Sequence, residues 1–499
     1  MSLTLTAHVP GREARRRVAA FVVALALTAS MLGQVIAHPT AGGPPASIVV
    51  TRLASADRAV ARAVEALGGR VVQDLPIVEG FAAVVPTGAI AALRAFPGVR
   101  SVVPNAKIEM HGRYGEDSGV ASAVYPDAVT APVAWNEGWG GQGVGVAVID
   151  TGINATGDLT GKVAHAEDFT SEQDNVDSFG HGTFVAGLIA GSGAGSNGAV
   201  QGVAPGAHLV SLKIAGRDGS TDVVKLLAAL QWVVTFRDAY DIRVLNLSLG
   251  VDSAQDYRID PLNFAVERVW NAGIVVVAAA GNGGTAPGTV AKPGDDPLVI
   301  TVGSTDDHTT PTVDDDTLAP FSASGPTASN GIAKPDLLAP GKSVVSLRSP
   351  DSTIDRSAPG ARVGELYFKG SGTSFSSAIT AGSAALVLSR APRLNPDQVK
   401  ARLMGTATAV AGVPAASAGA GALNAGAAVA SNSLAAFNQG VVRAIGGGSL
   451  QATRGAACLR LPTGKCMSDG GADGRTGFRA QEYFGSQWAG SQWAAVDWS

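Results

Sequence analysis

Cysteine is almost absent from this chain: its 499 residues include only two, Cys458 and Cys466. Most of the protein must therefore be stable without disulfide bonds. Basic residues are not in excess either, because 37 Lys and Arg against 41 Asp and Glu give a formal net charge of −4. This balance indicates no concentrated basic face, so nucleic acid is not an expected partner. Beyond the N-terminal segment, no apolar run is long and charge-free enough to predict a transmembrane helix.

The N-terminus has the pattern of an export signal. Arginines within residues 12–17 precede an apolar stretch at 18–32, and residues 35–37 are compact enough for cleavage before His38. The alternative, a membrane anchor, is disfavoured because the apolar stretch is short for a span. We expect residues 1–37 to be a signal peptide and the mature protein to be secreted, without a membrane segment.

Export also bears on the two cysteines. In an exported chain two close cysteines usually pair, so a disulfide between Cys458 and Cys466 is expected. Two free thiols are the alternative.

Residues 46–110 alternate between strand-like and helix-like segments. Strands are predicted at 47–51, 71–72, 81–85 and 99–103, with helices at 57–67 and 87–96. This βαββαβ order is that of a small α+β, ferredoxin-like domain. Such a fold hosts many roles, so the pattern alone defines no function.

Residues 125–433 alternate short, branched, apolar strands with helices. The predicted strands are 144–149, 210–214, 244–249, 274–280 and 298–302, with helices such as 183–191 and 223–235. Continuously apolar strands alternating with helices predict an α/β domain whose parallel sheet is covered on both faces. A polar, Gly/Ser-containing linker at 111–124 separates the two predicted domains and is expected to be open to proteolysis.

The C-terminal segment, residues 434–499, is a Gly/Ser/Trp-containing tail. Its sequence Gly-Ser-Gln-Trp-Ala at 485–489 occurs again at 490–494. Evenly spaced Trp rings could stack on the sugars of a cell-wall polysaccharide. Low-complexity disorder is the alternative that the composition favours.

Three segments far apart in the chain each place a different reactive side chain beside glycine. Asp150 lies in Val-Ala-Val-Ile-Asp-Thr-Gly, His181 opens His-Gly-Thr-Phe-Val-Ala-Gly, and Ser374 lies in Gly-Thr-Ser-Phe-Ser-Ser. Together an acid, a base and a hydroxyl make a nucleophile from an alcohol at neutral pH. Asp150 follows a strand, where α/β sheets place ligands. Ser374 precedes a predicted helix at 376–388, whose N–H groups favour a developing oxyanion. Each residue alone has an ordinary structural explanation, but the three in this order predict a catalytic triad.

These motifs and their order resemble the subtilisin family of serine peptidases (subtilases) over residues 125–430. The resemblance implies a subtilisin-like, three-layer catalytic domain that hydrolyses protein or peptide substrates through an acyl-enzyme on Ser374, with no cofactor for catalysis. The sequence Ala-Ala-Gly-Asn that ends at Asn282 matches the family's oxyanion segment. This match makes Asn282 the side-chain donor to the oxyanion, alongside the backbone N–H of Ser374.

The resemblance also assigns a substrate groove. An extended peptide would bind as a β-strand between two edges of the groove, and its P1 residue (the one whose carbonyl is attacked) would enter a specificity pocket. The residues that the resemblance assigns to substrate binding are Ser248, Leu249 and Gly250 on one edge, Asp218, Gly219 and Ser220 on the other, and Ala280, Gly281 and Ala291 at the pocket. No acidic residue falls in this pocket, so a neutral or apolar P1 residue is expected.

The resemblance gives the ferredoxin-like segment a role as an inhibitor-like propeptide. It would block the groove from within the same chain until it is cut away between residues 105 and 124. A permanent accessory domain is the alternative.

Calcium commonly stabilises the family, so the resemblance allows a structural calcium ion, and Asp158 aligns with one ligand position. Residues 191–201 lack a cage of oxygen donors, however, so no metal site is predicted and a solvated Asp158 is the alternative. Two departures from the family pattern, Phe375 for methionine and Ala378 for proline, surround the nucleophile.

Two other functional classes make different demands on the sequence. A non-catalytic subtilase scaffold, acting as a surface or polysaccharide-binding protein, would normally have lost a triad member or the oxyanion Asn. This sequence keeps all three triad residues and Asn282. An esterase of the α/β-hydrolase type requires Gly-x-Ser-x-Gly and the chain order Ser, acid, His. Ser374 lacks the second glycine, and both of its partners precede it.

Overall fold

The computed structural model describes residues 43–448, apart from 54–55, 106, 111–112, 115–122 and 252. The expected signal peptide, the two cysteines and the Trp-containing repeat lie outside the described residues.

The N-terminal domain is a four-stranded antiparallel sheet with two helices. Its elements are β1 (Pro45–Arg52), α1 (Asp57–Ala66), β2 (Arg70–Leu75), β3 (Gly80–Pro86), α2 (Ile90–Arg94) and β4 (Val99–Pro104). The strand order β2-β3-β1-β4 confirms the predicted ferredoxin-like arrangement. The second helix is shorter than predicted, because residues Thr87–Ala89 form a 3₁₀ turn before it.

Strand alternation in this sheet produces two apolar faces. Val50 and Phe81 belong to a core shared with α1 and α2, whereas Val49 and Ala82 belong to the core of the larger domain. Successive side chains of a strand point to opposite faces. The small sheet is therefore packed between its own helices and the rest of the protein.

The chain leaves this domain in two short strands, β5 (Lys107–Met110) and β6 (Arg113–Tyr114), and then enters an α/β domain. The main-sheet strands are β7 (Gly145–Asp150), β8 (Val163–Asp168), β9 (His208–Lys213), β11 (Ile242–Leu247), β13 (Val275–Ala279), β14 (Ile300–Asp306), β15 (Thr317–Leu318) and β16 (Leu337–Pro340). Their order is β15-β14-β13-β11-β7-β9-β8, with β16 beside β14. Every pair is parallel except β14 with β15.

Helices cover this sheet in two layers, which confirms the three-layer α/β class. They are α3 (Tyr125–Ala128), α4 (Ala131–Asn136), α5 (His181–Ala190), α6 (Val223–Phe236), α7 (Pro261–Asn271), α8 (Thr353–Ser357), α9 (Thr373–Arg390), α10 (Pro396–Gly405), α11 (Ala415–Ala418) and α12 (Ala425–Ala430). In one layer α5 packs on α9, and in the other α6 packs on α7. No helix in the described part of the chain is long and apolar enough to cross a membrane.

Helix α9 runs through the core on small residues. Nearly all of its positions are buried. Its Thr380 and Ser383 hydroxyls donate to the carbonyls of Ser376 and Ile379, one turn back, at 2.9 Å each. These bonds satisfy polar groups that would otherwise be costly to bury, so a Ser-rich sequence can form a core helix.

Two smaller sheets complete the fold. In one, β5 lies between β10 (Ser220–Asp222) and β12 (Leu249–Gly250). The other contains β17 (Val344–Leu347), β18 (Arg362–Val363) and β19 (Tyr367–Ser371), and β6 pairs with β19.

Residues 434–448 lie against the α/β domain. They are the described part of the segment that was predicted to be a tail. The Asn438 side chain donates to the Leu298 carbonyl at 3.0 Å, and the Ala444 N–H donates to the Glu267 carboxylate at 2.9 Å.

Candidate active site

Asp150 and His181 form a buried pair at the carboxyl edge of the main sheet. β7 ends at Asp150, and α5 begins at His181. Both carboxylate oxygens lie close to the imidazole Nδ1, at 2.8 and 2.9 Å, and both side chains are about fully buried. Because an ionised carboxylate can only accept, Nδ1 carries the proton and Nε2 is left as the basic nitrogen.

Asp177 fixes the start of the helix that carries His181, and sequence analysis missed it. Its carboxylate accepts from the N–H groups of Gly180 and Thr183 and from the Thr151 hydroxyl, each at 2.7 Å. Thr151 follows Asp150 in the chain, so Asp177 ties both members of the acid–base pair to one anchor. Burial raises the pKa of this carboxyl, while those three donors oppose the rise. Asp177 lies four residues before the helix, whereas the N-cap position is Gly180, so no local capping pattern marks it.

Glycine is required beside His181 by a close backbone approach. A Cβ added to Gly182 would lie 2.1 Å from the carbonyl oxygen of Gly152. The Gly in the His-Gly-Thr motif therefore lets α5 begin directly against the loop that follows β7.

Ser374 lies in the first turn of α9, which begins at Thr373 and not at residue 376 as predicted. Its hydroxyl donates to the Ser248 carbonyl at 3.1 Å. The next residue, Phe375, has its ring 5.8 Å from that of His181, so the start of α9 lies close to the imidazole. The first N–H groups of a helix have no internal partner and carry its positive end. Ala378 continues the same helix without a break.

Asn282 is held by Thr373, a second residue that sequence analysis did not single out. The carboxamide oxygen of Asn282 accepts from the Thr373 N–H at 3.0 Å and from its hydroxyl at 3.1 Å. The Thr373 hydroxyl also accepts from the Gly281 N–H at 3.1 Å. Because its oxygen is fixed in this way, the NH₂ group of Asn282 is the end left to serve as a donor. Its position one residue from Ser374 made Thr373 a detectable candidate.

The two predicted groove edges contribute mainly through the backbone. The Ser248 hydroxyl points into the core, where it accepts from the Asn246 amide at 2.7 Å and donates to the Ser374 carbonyl at 2.9 Å. The Asp218 carboxylate accepts from the Ser220 N–H and hydroxyl, at 3.0 and 2.6 Å, and so shapes its own turn. The strands themselves, β10 and β12, pair with β5 on opposite sides. We call the space between β10 and β12 the groove.

The predicted pocket residues lie together at the end of β13. Ala291 donates its N–H to the Ala280 carbonyl at 2.8 Å, and its Cβ lies 3.1 Å from where a side chain on Gly281 would begin. The neighbouring Lys292 is fully buried, and Asp295 lies 2.5 Å from its ammonium. The lysine charge is therefore balanced within the protein, next to a pocket segment without charged side chains.

Asp158 is buried, so its interpretation as a solvated residue is wrong. Its carboxylate accepts from the Gly195 N–H at 2.7 Å and from the Tyr367 hydroxyl at 3.0 Å, and the residue is 3% exposed. Protein donors occupy the positions that a cation would need, so these residues do not fit a metal site. Among the described residues, no group of three or more His, Cys, Asp or Glu could hold a metal ion.

A buried acid–imidazole pair, a serine at a helix start and a held carboxamide define the class of serine hydrolases. A sequence model of a protein family, described as "Subtilase family", matches residues 141–446. The chain therefore belongs to the subtilase family of serine peptidases, which confirms the resemblance. The model described as "Putative peptidase inhibitor domain" matches residues 23–105.

Relatives agree with this family, and a solved structure agrees with the fold. Serine protease AprX of Bacillus subtilis (strain 168) is 45% identical over 266 residues, which are 52% of this chain and 60% of that protein, less than two thirds of its length. Subtilisin DY of Bacillus licheniformis is 35% identical over 274 residues, 54% of this chain and 86% of that protein. The crystal structure of fervidolysin from Fervidobacterium pennivorans, a keratinolytic enzyme related to subtilisin, has a TM-score of 0.61 at 22% identity. It covers 79% of this chain and 62% of fervidolysin, and it supports the fold alone.

Proposed function

We propose that this chain is a secreted serine endopeptidase, made as a self-processed zymogen, with Asp150, His181 and Ser374 as its triad. The observation that carries the proposal is the contact of both Asp150 oxygens with His181 Nδ1, at 2.8 and 2.9 Å in a buried site. This contact orients the ring and stabilises the imidazolium that forms when Nε2 accepts a proton. Secretion rests on the N-terminal sequence pattern.

The proposed reaction proceeds through an acyl-enzyme. Ser374 Oγ attacks the scissile carbonyl while His181 Nε2 takes its proton, and the imidazolium then protonates the leaving amine. Asn282 and the Ser374 backbone N–H would stabilise the oxyanion. Removing the Asn282 donor is expected to lower kcat by roughly 10²–10³, the range measured for the equivalent donor in subtilisin. Water then hydrolyses the ester and regenerates the serine.

Inhibition by the N-terminal domain is supported by two sets of contacts. β5 lies in the groove, in antiparallel pairing with both edges. The 3₁₀ turn Pro76–Val78 packs against α6 and α7, and Ile77 and Val78 join the core of the larger domain. A substrate strand would need the same main-chain partners as β5, so the intact chain is expected to be inactive.

The test compares the wild-type chain with Ser374→Ala in casein hydrolysis and in N-terminal sequencing. The wild type is expected to acquire a new N-terminus and then to hydrolyse casein, and Ser374→Ala to do neither. Glu137→Gln, at an exposed position that is not among the proposed site residues, serves as a control and should behave as wild type. Casein hydrolysis or self-processing by Ser374→Ala would disprove the assignment of the nucleophile.

A further inference from the structure

Lys292 directly follows Ala291, at the point where the segment assigned to the P1 pocket meets one edge of the groove. Its N–H donates to the Val251 carbonyl at 2.9 Å, and its carbonyl accepts from the Val251 N–H at 3.1 Å. Val251 is the residue after β12, so this antiparallel pair joins the groove edge to the pocket segment. The position of Ala291 therefore depends on how Lys292 is held.

The Lys292 side chain ends in a buried polar cluster. Its ammonium lies 2.5 Å from the Asp295 carboxylate, 3.2 Å from the carboxamide oxygen of Asn263 and 3.7 Å from the Asp260 carboxylate. All four residues are buried. An ammonium is tolerated in such a place only when charged and polar partners replace its water. These contacts therefore fix where the side chain ends.

The partners of the ammonium are themselves held at the start of α7. Asp260 caps this helix by accepting from the Leu262 N–H at 2.8 Å, and the NH₂ group of Asn263 donates to Asp295 at 2.8 Å. Leu262 belongs to the core of the α/β domain. Lys292 thus connects the pocket segment to a helix that core packing holds in place.

The other end of the pocket segment is held by a neutral side chain. The Thr289 hydroxyl accepts from the Ser324 N–H at 3.0 Å. Between the two ends, Val290 and Ala291 carry no polar side-chain atom. Polar side chains therefore hold this segment at residue 289 and at residue 292, and only the second of these connections is ionic.

We propose that Lys292 is a positioning residue for recognition of the P1 side chain. The inference rests on the proposed peptidase function and names a residue that sets its selectivity. While the ammonium keeps its partners, Ala291 stays against Gly281 and the pocket keeps the shape that admits a large apolar group. Removing one member of a buried ion pair leaves the other charge without compensation. The segment is then expected to move and the contacts with the P1 side chain to weaken.

The test measures P1 selectivity in the mature enzyme, with active sites counted by titration with an organic fluorophosphonate. Two tetrapeptide p-nitroanilides that differ only at P1, Phe or Ala, give a ratio of kcat/KM values. Lys292→Met keeps a long side chain without its charge and is expected to lower this Phe-to-Ala ratio about tenfold, mainly through a higher KM for the Phe peptide. Asp295→Asn is expected to lower the ratio by a smaller factor, because it removes one charge and keeps an acceptor.

Lys400→Met is the matched control. Lys400 is also fully buried, and its ammonium lies 3.1 Å from Asp336 and 3.2 Å from the Leu298 carbonyl, neither of which belongs to the pocket segment. This variant is expected to lower Tm and to leave the Phe-to-Ala ratio unchanged.

Two results would overturn the positioning role and leave the peptidase function standing. One is an unchanged ratio in Lys292→Met and Asp295→Asn, and the other is an equal fall of the ratio in Lys400→Met. If Lys292→Met does not fold, the ratio in Asp295→Asn decides. A wild type that hydrolyses neither of the two peptides nor casein would instead refute the proposed function.

Discussion

The ring of Phe375 lies against that of His181, with centroids 5.8 Å apart and planes inclined by 32°. Phe375 also packs on Phe184, at 4.4 Å between centroids, and is fully buried. The residue after Ser374, the proposed nucleophile, is thus an aromatic ring beside the His181 imidazole, where the family resemblance implies a methionine.

This replacement predicts resistance to oxidation. A methionine thioether oxidises to a polar sulfoxide, whereas the phenyl ring of Phe375 does not. Wild-type activity should survive dilute peroxide, and Phe375→Met should lose activity progressively under the same treatment. Residual casein hydrolysis measures both, with Met404→Leu as a control for a methionine outside the site. Equal rates of loss in wild type and Phe375→Met would contradict the prediction.

The pocket predicts a neutral or apolar P1 preference. Ala291 approaches Gly281 closely, and the adjacent lysine charge is balanced by Asp295. Peptides with Phe or Leu at P1 should have higher kcat/KM than matched peptides with Arg or Lys. Ala291→Gly should raise kcat/KM about tenfold or more for peptides with the largest P1 residues. The reason is that one methyl-sized group in a pocket contributes about 1–3 kcal/mol. Equal cleavage after Arg and after Phe would refute this preference.

Asp158 predicts stability that does not depend on calcium at its position. Its carboxylate joins the loop at Gly195 to Tyr367 through two hydrogen bonds. Asp158→Ala should lower the free energy of unfolding by about 1–3 kcal/mol, because the buried Tyr367 hydroxyl loses its acceptor. The loss should be the same in calcium and in chelator, measured by thermal unfolding in a Ser374→Ala background that prevents autolysis. A loss seen only in calcium would indicate a metal ligand.

Glu267 predicts a decrease of stability as pH rises from about 4.5 to 8. Burial, with Asp296 nearby, raises the pKa of Glu267 from 4.5 to about 8. The folded state therefore keeps a proton that the unfolded state loses, so the stabilisation is complete below about pH 4.5 and is lost as pH rises through 8.

The measurement for Glu267 is Tm between pH 5 and 9, again in the Ser374→Ala background. Glu267→Gln keeps an acceptor for the Ala444 N–H and cannot ionise, so its Tm should fall less than that of the parent. The two falls in Tm should differ by roughly 2–4 °C for each kcal/mol of stability that the parent loses through Glu267. Glu137→Gln is the control at an exposed position. Parallel curves for the parent and Glu267→Gln would show that this carboxyl does not titrate as described.

The sequence predicted those parts of the fold that depend on contiguous patterns. The apolar run before Asp150 predicts a strand ending close to that residue, and β7 ends there. The predicted helix at 183–191 overlaps α5, which begins two residues earlier at His181. These features are local, so short-range periodicity and composition are sufficient to find them.

Features that depend on distant segments were not predicted. α9 begins three residues earlier than expected because Asn282, from another part of the chain, accepts the Thr373 N–H as a cap. The Asp158 carboxylate is buried because Tyr367 and Gly195 supply its donors. A local sequence pattern does not predict which distant segments will be in contact. The start of α9 and the burial of Asp158 both depend on such contacts.

The central claim is that Ser374 is the nucleophile activated by His181 and Asp150. The most direct measurement is covalent labelling of the mature enzyme with an organic fluorophosphonate, followed by peptide mass spectrometry. The account predicts one adduct, on Ser374, formed in step with loss of casein hydrolysis and greatly slowed by Asp150→Asn. An adduct on a different residue, or full inactivation with Ser374 unmodified, would contradict it.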